Sequence, residues 1–132
     1  MALALTRKLF SVLSAQTIGN GATVTSSQQD LGDDSIAHQI WLHWSVTGYA
    51  TTPAGNKRMT IKIAGSPGTG ETKATDFCPS YVFTTDADQA YTGMVAVASL
   101  PRFFVVTATN DTSQTTDSSG FFCTVEAVVE TV

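Results

Sequence analysis

The fold is decided by the stretch Phe121-Phe-Cys-Thr-Val-Glu-Ala-Val-Val-Glu130, in which every second side chain is apolar. Successive side chains of a β-strand point to opposite faces, so this period of two predicts a strand with one face in a core. The predicted inward set is Phe121, Cys123, Val125, Ala127 and Val129. The stretch His38–Gly48 repeats the pattern, and its predicted inward set is Ile40, Leu42, Trp44 and Val46.

Further strand candidates, shorter or less regular in their alternation, lie elsewhere in the chain, at residues 8–13, 22–26, 58–64, 81–84, 91–99 and 103–109. Clusters of Gly, Pro, Asn and Asp separate them, and these residues favour turns. About eight short strands between turns predict an all-β fold, an antiparallel β-sandwich or jelly-roll-like barrel, in a single domain over residues 1–132. Residues 84–90 are predicted to hold a short helical turn with Thr85 as its N-cap.

The first fifteen residues permit two structures. Arg7 and Lys8 follow the apolar residues 2–5, whereas a secretory signal places its basic residues first. We therefore expect residues 1–15 to form either the first strand or an extended N-terminal arm that packs on a neighbour.

The composition favours assembly over chemistry. Of the 132 residues, 33 are Ser or Thr, only 14% are charged, and the net charge is −4. An acidic chain lacks the basic surface that binds nucleic acid, and no apolar run reaches the roughly 20 residues of a membrane helix. Thr60 and Thr124 lie on predicted outward faces, so the sheet surface is neutral enough for other proteins to pack against it.

Several motifs are too weak to predict a catalytic or ligand site. The segment Gly65–Gly70 has the glycine spacing of a phosphate loop, but Glu71 stands where the phosphate-binding Lys is required. His38 and His43 are five residues apart, so a regular strand would place them on opposite faces and they would not bind one metal ion together. We predict no metal, no cofactor and no enzymatic activity.

The weaker alternatives remain open at this stage. Paired carboxylates for a hydrolase would be Asp33/Asp34 or Asp86/Asp88, and a calcium site would use Asp30 with Asp33 and Asp34. Asn110-Asp111-Thr112 matches the glycosylation pattern of secreted chains. Cys78 and Cys123 are expected to be free or, less favourably, to form a disulfide.

Candidate interface residues come from apolar side chains that the alternation leaves outside a core or that occur on two-sided apolar strands. Trp41 shares the outward face with His43, and aromatic residues anchor protein interfaces. The full predicted interface set is Leu9, Phe10, Trp41, His43, Phe104 and Phe122. A carbohydrate-binding or adhesin-like sandwich is the alternative, in which Trp41, Trp44, Tyr49 and Tyr91 would offer stacking surfaces.

Four stretches resemble the small β-sandwich structural proteins of tailed bacteriophages. They are Thr17-Ile-Gly-Asn-Gly-Ala-Thr-Val-Thr25, Ile40-Trp-Leu-His-Trp-Ser-Val-Thr-Gly48, Leu100-Pro-Arg-Phe-Phe-Val-Val-Thr-Ala-Thr-Asn-Asp-Thr112 and Phe121-Phe-Cys-Thr-Val-Glu-Ala-Val-Val129. The resemblance implies a head decoration (cement) protein, or else a tail or fibre component. It also implies binding to the major capsid protein or other virion proteins, self-association as a trimer, and a place in the virion after assembly in the host cytoplasm.

Overall fold

The structure, a computed structural model, describes residues 4–32, 35–51, 58–65, 75–76, 81–84, 91–97, 100 and 102–131. This part of the chain forms strands and contains no helix. The strands are β1 (Ala4–Gln16), β2 (Thr23–Thr25), β3 (Gln29–Asp30), β4 (Ser35–Val46), β5 (Arg58–Gly65), β6 (Thr75–Asp76), β7 (Tyr81–Thr84), β8 (Tyr91–Val97), β9 (Phe103–Asp111) and β10 (Phe121–Thr131). The predicted all-β fold is confirmed. The strands β3 and β6 were not predicted, because two residues are too few to show alternation.

The strands form two antiparallel sheets. One sheet has four strands in the order β1-β10-β4-β8. The other has six, in the order β2-β9-β5-β6, with β3 also paired to β9 and β7 to β5. The long strand β10 lies in the interior of the four-stranded sheet, between β1 and β4.

The core lies between the inner faces of the two sheets. Leu42 and Val125 of the four-stranded sheet and Ile61 and Val106 of the six-stranded sheet are all fully buried in one cluster. The predicted inward set of β10 is buried throughout, as are Ile40, Leu42 and Val46 of β4, while Trp44 packs against the cluster from its margin. Alternation therefore placed the core correctly in both strands.

Residues Ala4–Gln16 form the first strand instead of an extended arm. Strand β1 pairs with β10 in unbroken register from Ala4↔Thr131 to Ser11↔Thr124. Irregularities follow between Ser11 and Gln16. Ala15 there has a φ of 51°, in the left-handed region that is unfavourable for a residue with a Cβ.

A buried polar network joins the loop after β9 to the segment after β1. The side-chain amide of Asn110 donates to the backbone oxygens of Ile18 (2.9 Å) and Gln114 (2.7 Å). Its Oδ1 accepts from the backbone N (3.0 Å) and the hydroxyl (2.6 Å) of Thr112. The Thr116 hydroxyl accepts from the Ile18 backbone N at 2.9 Å. Asn110, Thr112 and Thr116 are buried, so this network satisfies polar groups that water does not reach.

Candidate interaction surface

The candidate site is the outer face of the four-stranded sheet, which points away from the core. The cross-strand register aligns its side chains in rows that run from β1 to β8. One row is Leu9, Glu126, Trp41 and Ala96; the next is Ser11, Thr124, His43 and Met94. We call the surface formed by the outward side chains of these four strands the outer face.

The outer face carries large apolar side chains that are open to solvent. Leu5 is 64% exposed, Leu9 60%, Met94 56% and Phe122 38%. These are all of the large exposed hydrophobic residues found in the part of the chain that the structure describes. Trp41 adds a half-buried indole near the centre of the face. Large apolar side chains exposed together on one sheet face favour a protein–protein contact surface.

The charged groups of the outer face are paired within the face. The Arg7 guanidinium contacts Glu126 through Nε–Oε1 at 2.9 Å and a second nitrogen to Oε2 at 3.1 Å. His43 Nε2 lies 3.2 Å from Oε2 of the same carboxylate but makes no hydrogen bond there. Because Glu126 is already flanked by two nitrogen groups, covering the face would not leave an isolated carboxylate.

His38 lies on the same face as His43, which corrects the expectation that they point to opposite sides. The pairing of β4 with β10 shifts between Val128↔Gln39 and Val129↔Ala37, so His38 is the additional residue of a β-bulge. A bulge adds one residue and reverses the parity of the alternation beyond it. His38 Nε2 consequently lies 2.6 Å from Glu130 Oε2, on the outward side of β10.

An open groove of about 450 Å³ lies at one end of the outer face. Its lining is Leu5, His38, Gln39, Val128 and Glu130. The walls are mostly apolar and the His38–Glu130 pair provides the polar part. The described residues contain no group of three or more side chains suited to a metal ion.

The predicted interface residues divide into two groups. Leu9, Trp41, His43 and Phe122 lie on the outer face. Phe104 is fully buried, and its ring meets that of Phe10 edge-on with centroids 5.3 Å apart. The assignment of Phe104 to an interface is therefore wrong: it joins the two sheets, and Phe10 packs inward against it.

Sequence reasoning missed two outer-face residues. Met94 lies in the predicted strand 91–99, where the weak alternation gives no reason to select a single apolar residue for an interface. Leu5 lies four residues before Leu9, so the same alternation extended to residue 4 would have identified it.

Other predicted sites are placed as follows. Asn110 is buried and donates two hydrogen bonds, so the folded chain does not present its amide for glycosylation. Tyr49 is buried in the core, and Trp44 packs against the core cluster. Two of the four predicted sugar-stacking rings are therefore not available on the surface. Cys123 is buried and makes no disulfide with any described residue.

The remaining predicted candidates lie outside the described residues. They are the 66–72 part of the glycine-rich loop, the 85–90 turn, Asp33, Asp34, Cys78, Asp86 and Asp88. The side chain of Tyr91 is likewise not described. Across the described ranges there is no helix of the length and hydrophobicity needed to cross a bilayer.

Comparison with solved structures identifies the fold. The chain is similar to a structure described as turnip yellow mosaic virus, with a TM-score of 0.51 and 9% identity over 98% of this chain and 80% of that chain. Desmodium yellow mottle tymovirus gives a TM-score of 0.47 and 5% identity over 99% and 88% of the two chains. A structure described as Bacillus endospore appendages that form disulfide-linked pili gives a TM-score of 0.45 and 14% identity over 97% of this chain and 90% of that chain.

No protein-family model and no curated protein sequence matches the chain. At 9% identity the likeness to the turnip yellow mosaic virus structure concerns the fold alone, and the all-β fold agrees with the predicted sandwich.

Proposed function

We propose that this chain is a structural subunit of a virus particle and that its outer face docks onto another virion protein. The observation that carries the proposal is that Leu5, Leu9, Met94 and Phe122, each at least 38% exposed, all lie on one sheet face. Burying such side chains against a partner removes apolar surface from water, which is the main driving force of association.

The size of the outer face suits a stable contact. Four strands about 4.8 Å apart and a β10 of 11 residues at about 3.4 Å each give a surface of roughly 19 by 37 Å, or about 700 Å². A standard interface buries about 800 Å² on each partner. The contacts of Glu126 with Arg7 and of Glu130 with His38 give both carboxylates a partner when this surface is covered.

Within this proposal, a head decoration protein of a tailed phage is the favoured role, and a tail or fibre component is the alternative. The resemblance noted in the sequence supports the phage assignment, and the likeness in fold to the turnip yellow mosaic virus structure supports a virion role. A decoration protein binds the assembled shell and not its dissociated subunits, so it stabilises the assembled state by mass action.

The first experiment measures the copy number of the chain in particles purified from cells that carry its gene. A copy number near that of the main shell protein supports decoration, and a few copies per particle support a tail or fibre role. Absence of the chain from intact particles would overturn the proposal.

The second experiment tests the outer face. Particles that lack the chain are mixed with purified protein and sedimented. Phe122→Lys and Met94→Lys are expected to abolish co-sedimentation, because each puts a charge at an exposed apolar position of the outer face. Thr25→Lys, an exposed position on β2 of the other sheet, is the matched control and should bind as the wild type does. Equal binding of all three variants would contradict docking through this face.

A carbohydrate-binding role is the competing candidate, and Trp41 is the residue that favours it. Its indole lies on the outer face in the same row as Glu126, where a sugar ring would find both a stacking surface and a hydrogen-bond acceptor. A change in tryptophan fluorescence on titration with a glycan library, lost in Trp41→Ala, would support this role instead.

A further inference from the structure

We propose that two copies of this chain pair antiparallel through their β1 strands, so that two four-stranded sheets become one continuous sheet of eight strands. The pair has a two-fold axis perpendicular to the sheet at Arg7. This inference goes beyond the proposed docking of the outer face and does not require it.

The first support is the free edge of β1. Strand β1 is the first strand of its sheet and pairs with β10 on one side only. Within the described residues, no backbone–backbone hydrogen bond other than those of the β1–β10 ladder reaches Ala4–Gln16. From Ala4 to Ser11 the ladder is regular, so the opposite side of this segment presents evenly spaced donors and acceptors. A long regular edge is a template for another strand.

The second support is that two usual protections of an edge, Pro and bulges, are missing from this segment. Natural edge strands are blunted by Pro, by bulges or by charged side chains, especially Lys. Residues 4–11 contain no Pro, and the irregularities begin only after Ser11. The two cations of the segment are engaged within the molecule: Arg7 binds Glu126, and Lys8 Nζ donates to the Leu31 backbone oxygen at 2.7 Å.

The third support is that the edge is complementary to itself. A two-fold axis perpendicular to the sheet keeps the outward side chains of both copies on the same face. Two residues that are paired across the axis must then both be odd-numbered or both be even-numbered, so their numbers add to an even sum. A sum of 14 pairs Leu5 of each copy with Leu9 of the other, and Arg7 with Arg7. Both leucines are at least 60% exposed in the single chain, so two leucine pairs cover surface that is otherwise open to water.

The neighbouring register with a sum of 16 pairs no leucine with a leucine. A sum of 16 would put Lys8 opposite Lys8, with each Leu9 facing Arg7 and each Leu5 facing Ser11. In the chosen register the two Arg7 side chains meet across the axis, but each is already bound to its own Glu126, which reduces their repulsion. The mutual pairing of Leu5 with Leu9 is the reason for naming a second copy as the occupant of this edge.

Light scattering of the purified chain over a concentration series tests the pairing. The wild type is expected to have the mass of a dimer, with Leu5→Lys and Leu9→Lys raising the dissociation constant by about tenfold or more, because the symmetry places each change in the interface twice. Met94→Lys, on β8 at the far edge of the same face, is the matched control and should remain dimeric. Circular dichroism checks that each variant is folded.

The outcomes separate this inference from the proposed function. If Met94→Lys stays dimeric but no longer binds particles, both proposals are supported. A wild-type chain that is monomeric at a concentration on the order of 100 µM overturns the pairing, whatever the particle assay shows. A trimer, or a dimer that Met94→Lys dissociates and Leu9→Lys does not, overturns it equally.

A cross-linking experiment fixes the register without relying on loss of association. In a Cys78→Ser background, Arg7→Cys places two thiols across the axis with Cβ atoms about 5 Å apart, and mild oxidation should give a covalent dimer. Leu9→Cys is the control, because its copies lie about four residues, or roughly 14 Å, apart along the paired strands. Efficient Leu9 cross-linking with none at Arg7 would refute this arrangement.

Discussion

Gly93 lies directly beneath the indole of Trp44. The two residues are paired across β8 and β4, and a Cβ at position 93 would collide with the six-membered ring and lie 2.7 Å from Nε1. The absence of a side chain at Gly93 therefore gives the indole its place against the core. Neither residue alone indicates this relationship in the sequence, because it depends on the register between two strands that are far apart in the chain.

Gly93→Ala is expected to destabilise the fold by about 1–3 kcal/mol, since the indole must leave its rotamer or the strands must separate. Urea unfolding measures the change. Thr92→Ala, at the neighbouring exposed position, is the control and should have little effect. If the collision is the cause, the penalty shrinks in a Trp44→Leu background, where the ring is absent; an undiminished penalty would locate the cause elsewhere.

Asn110→Asp is expected to cost about 2–5 kcal/mol of unfolding free energy. The change removes the two donors that reach Ile18 and Gln114 and puts a carboxylate beside their backbone oxygens. Urea unfolding at neutral pH is the measurement. Asn20→Asp, in an exposed turn, is the matched control and should change stability by a few tenths of a kcal/mol at most. Comparable effects of the two substitutions would show that the buried network contributes little.

The sequence predicted those features that depend on alternation within one strand. The core faces of β4 and β10 and the outward positions of Trp41 and Phe122 follow from period two alone. Features that depend on pairing between strands were missed. The bulge at His38 is defined by the register against Val128 and Val129, and the sequence of β4 alone does not predict it.

Strands with apolar side chains on both faces were the other place where the sequence did not predict which side chains enter the core. Phe103 and Phe104 follow one another, so the sequence offers no means of deciding which ring enters the core. The structure selects Phe104 because Phe10 meets it from the facing sheet, while Phe103 lies under the Arg102 guanidinium at 4.6 Å from the ring centroid. The outer face as a surface could be assembled only after the order β1-β10-β4-β8 was known.

The Asp30–Arg102 pair predicts a specific dependence of stability on pH. The hydrogen bond from Arg102 Nε (3.0 Å) and then that from the Gly32 backbone N (2.9 Å) lower the pKa of Asp30 from 3.8. A carboxyl whose pKa is lower in the folded state stabilises the fold above its unfolded pKa, and this contribution is lost as pH falls through the folded value. The wild type is thus expected to exceed Asp30→Asn in stability by a constant amount above about pH 5 and by less below pH 4.

Urea unfolding of both chains between neutral pH and pH 3 checks this prediction. The pair is exposed, so its contribution should also fall on addition of salt. The Asp117→Asn variant serves as the control for a general effect of removing one negative charge. A difference between wild type and Asp30→Asn that grows as the pH is lowered would have the wrong sign and would contradict the assigned cause.

Cys123 is expected to be inert in the folded protein. Burial raises the pKa of its thiol to about 12, so the reactive thiolate is scarce at neutral pH and the sulfur is also shielded from reagents. In a Cys78→Ser chain, a thiol reagent at neutral pH should label the native protein far more slowly than the urea-unfolded protein. The labelling rate then reports the opening of the sheet around β10, and stabilising the fold should slow it further. Rapid labelling of the native chain would show that the interior face of β10 is open to solvent.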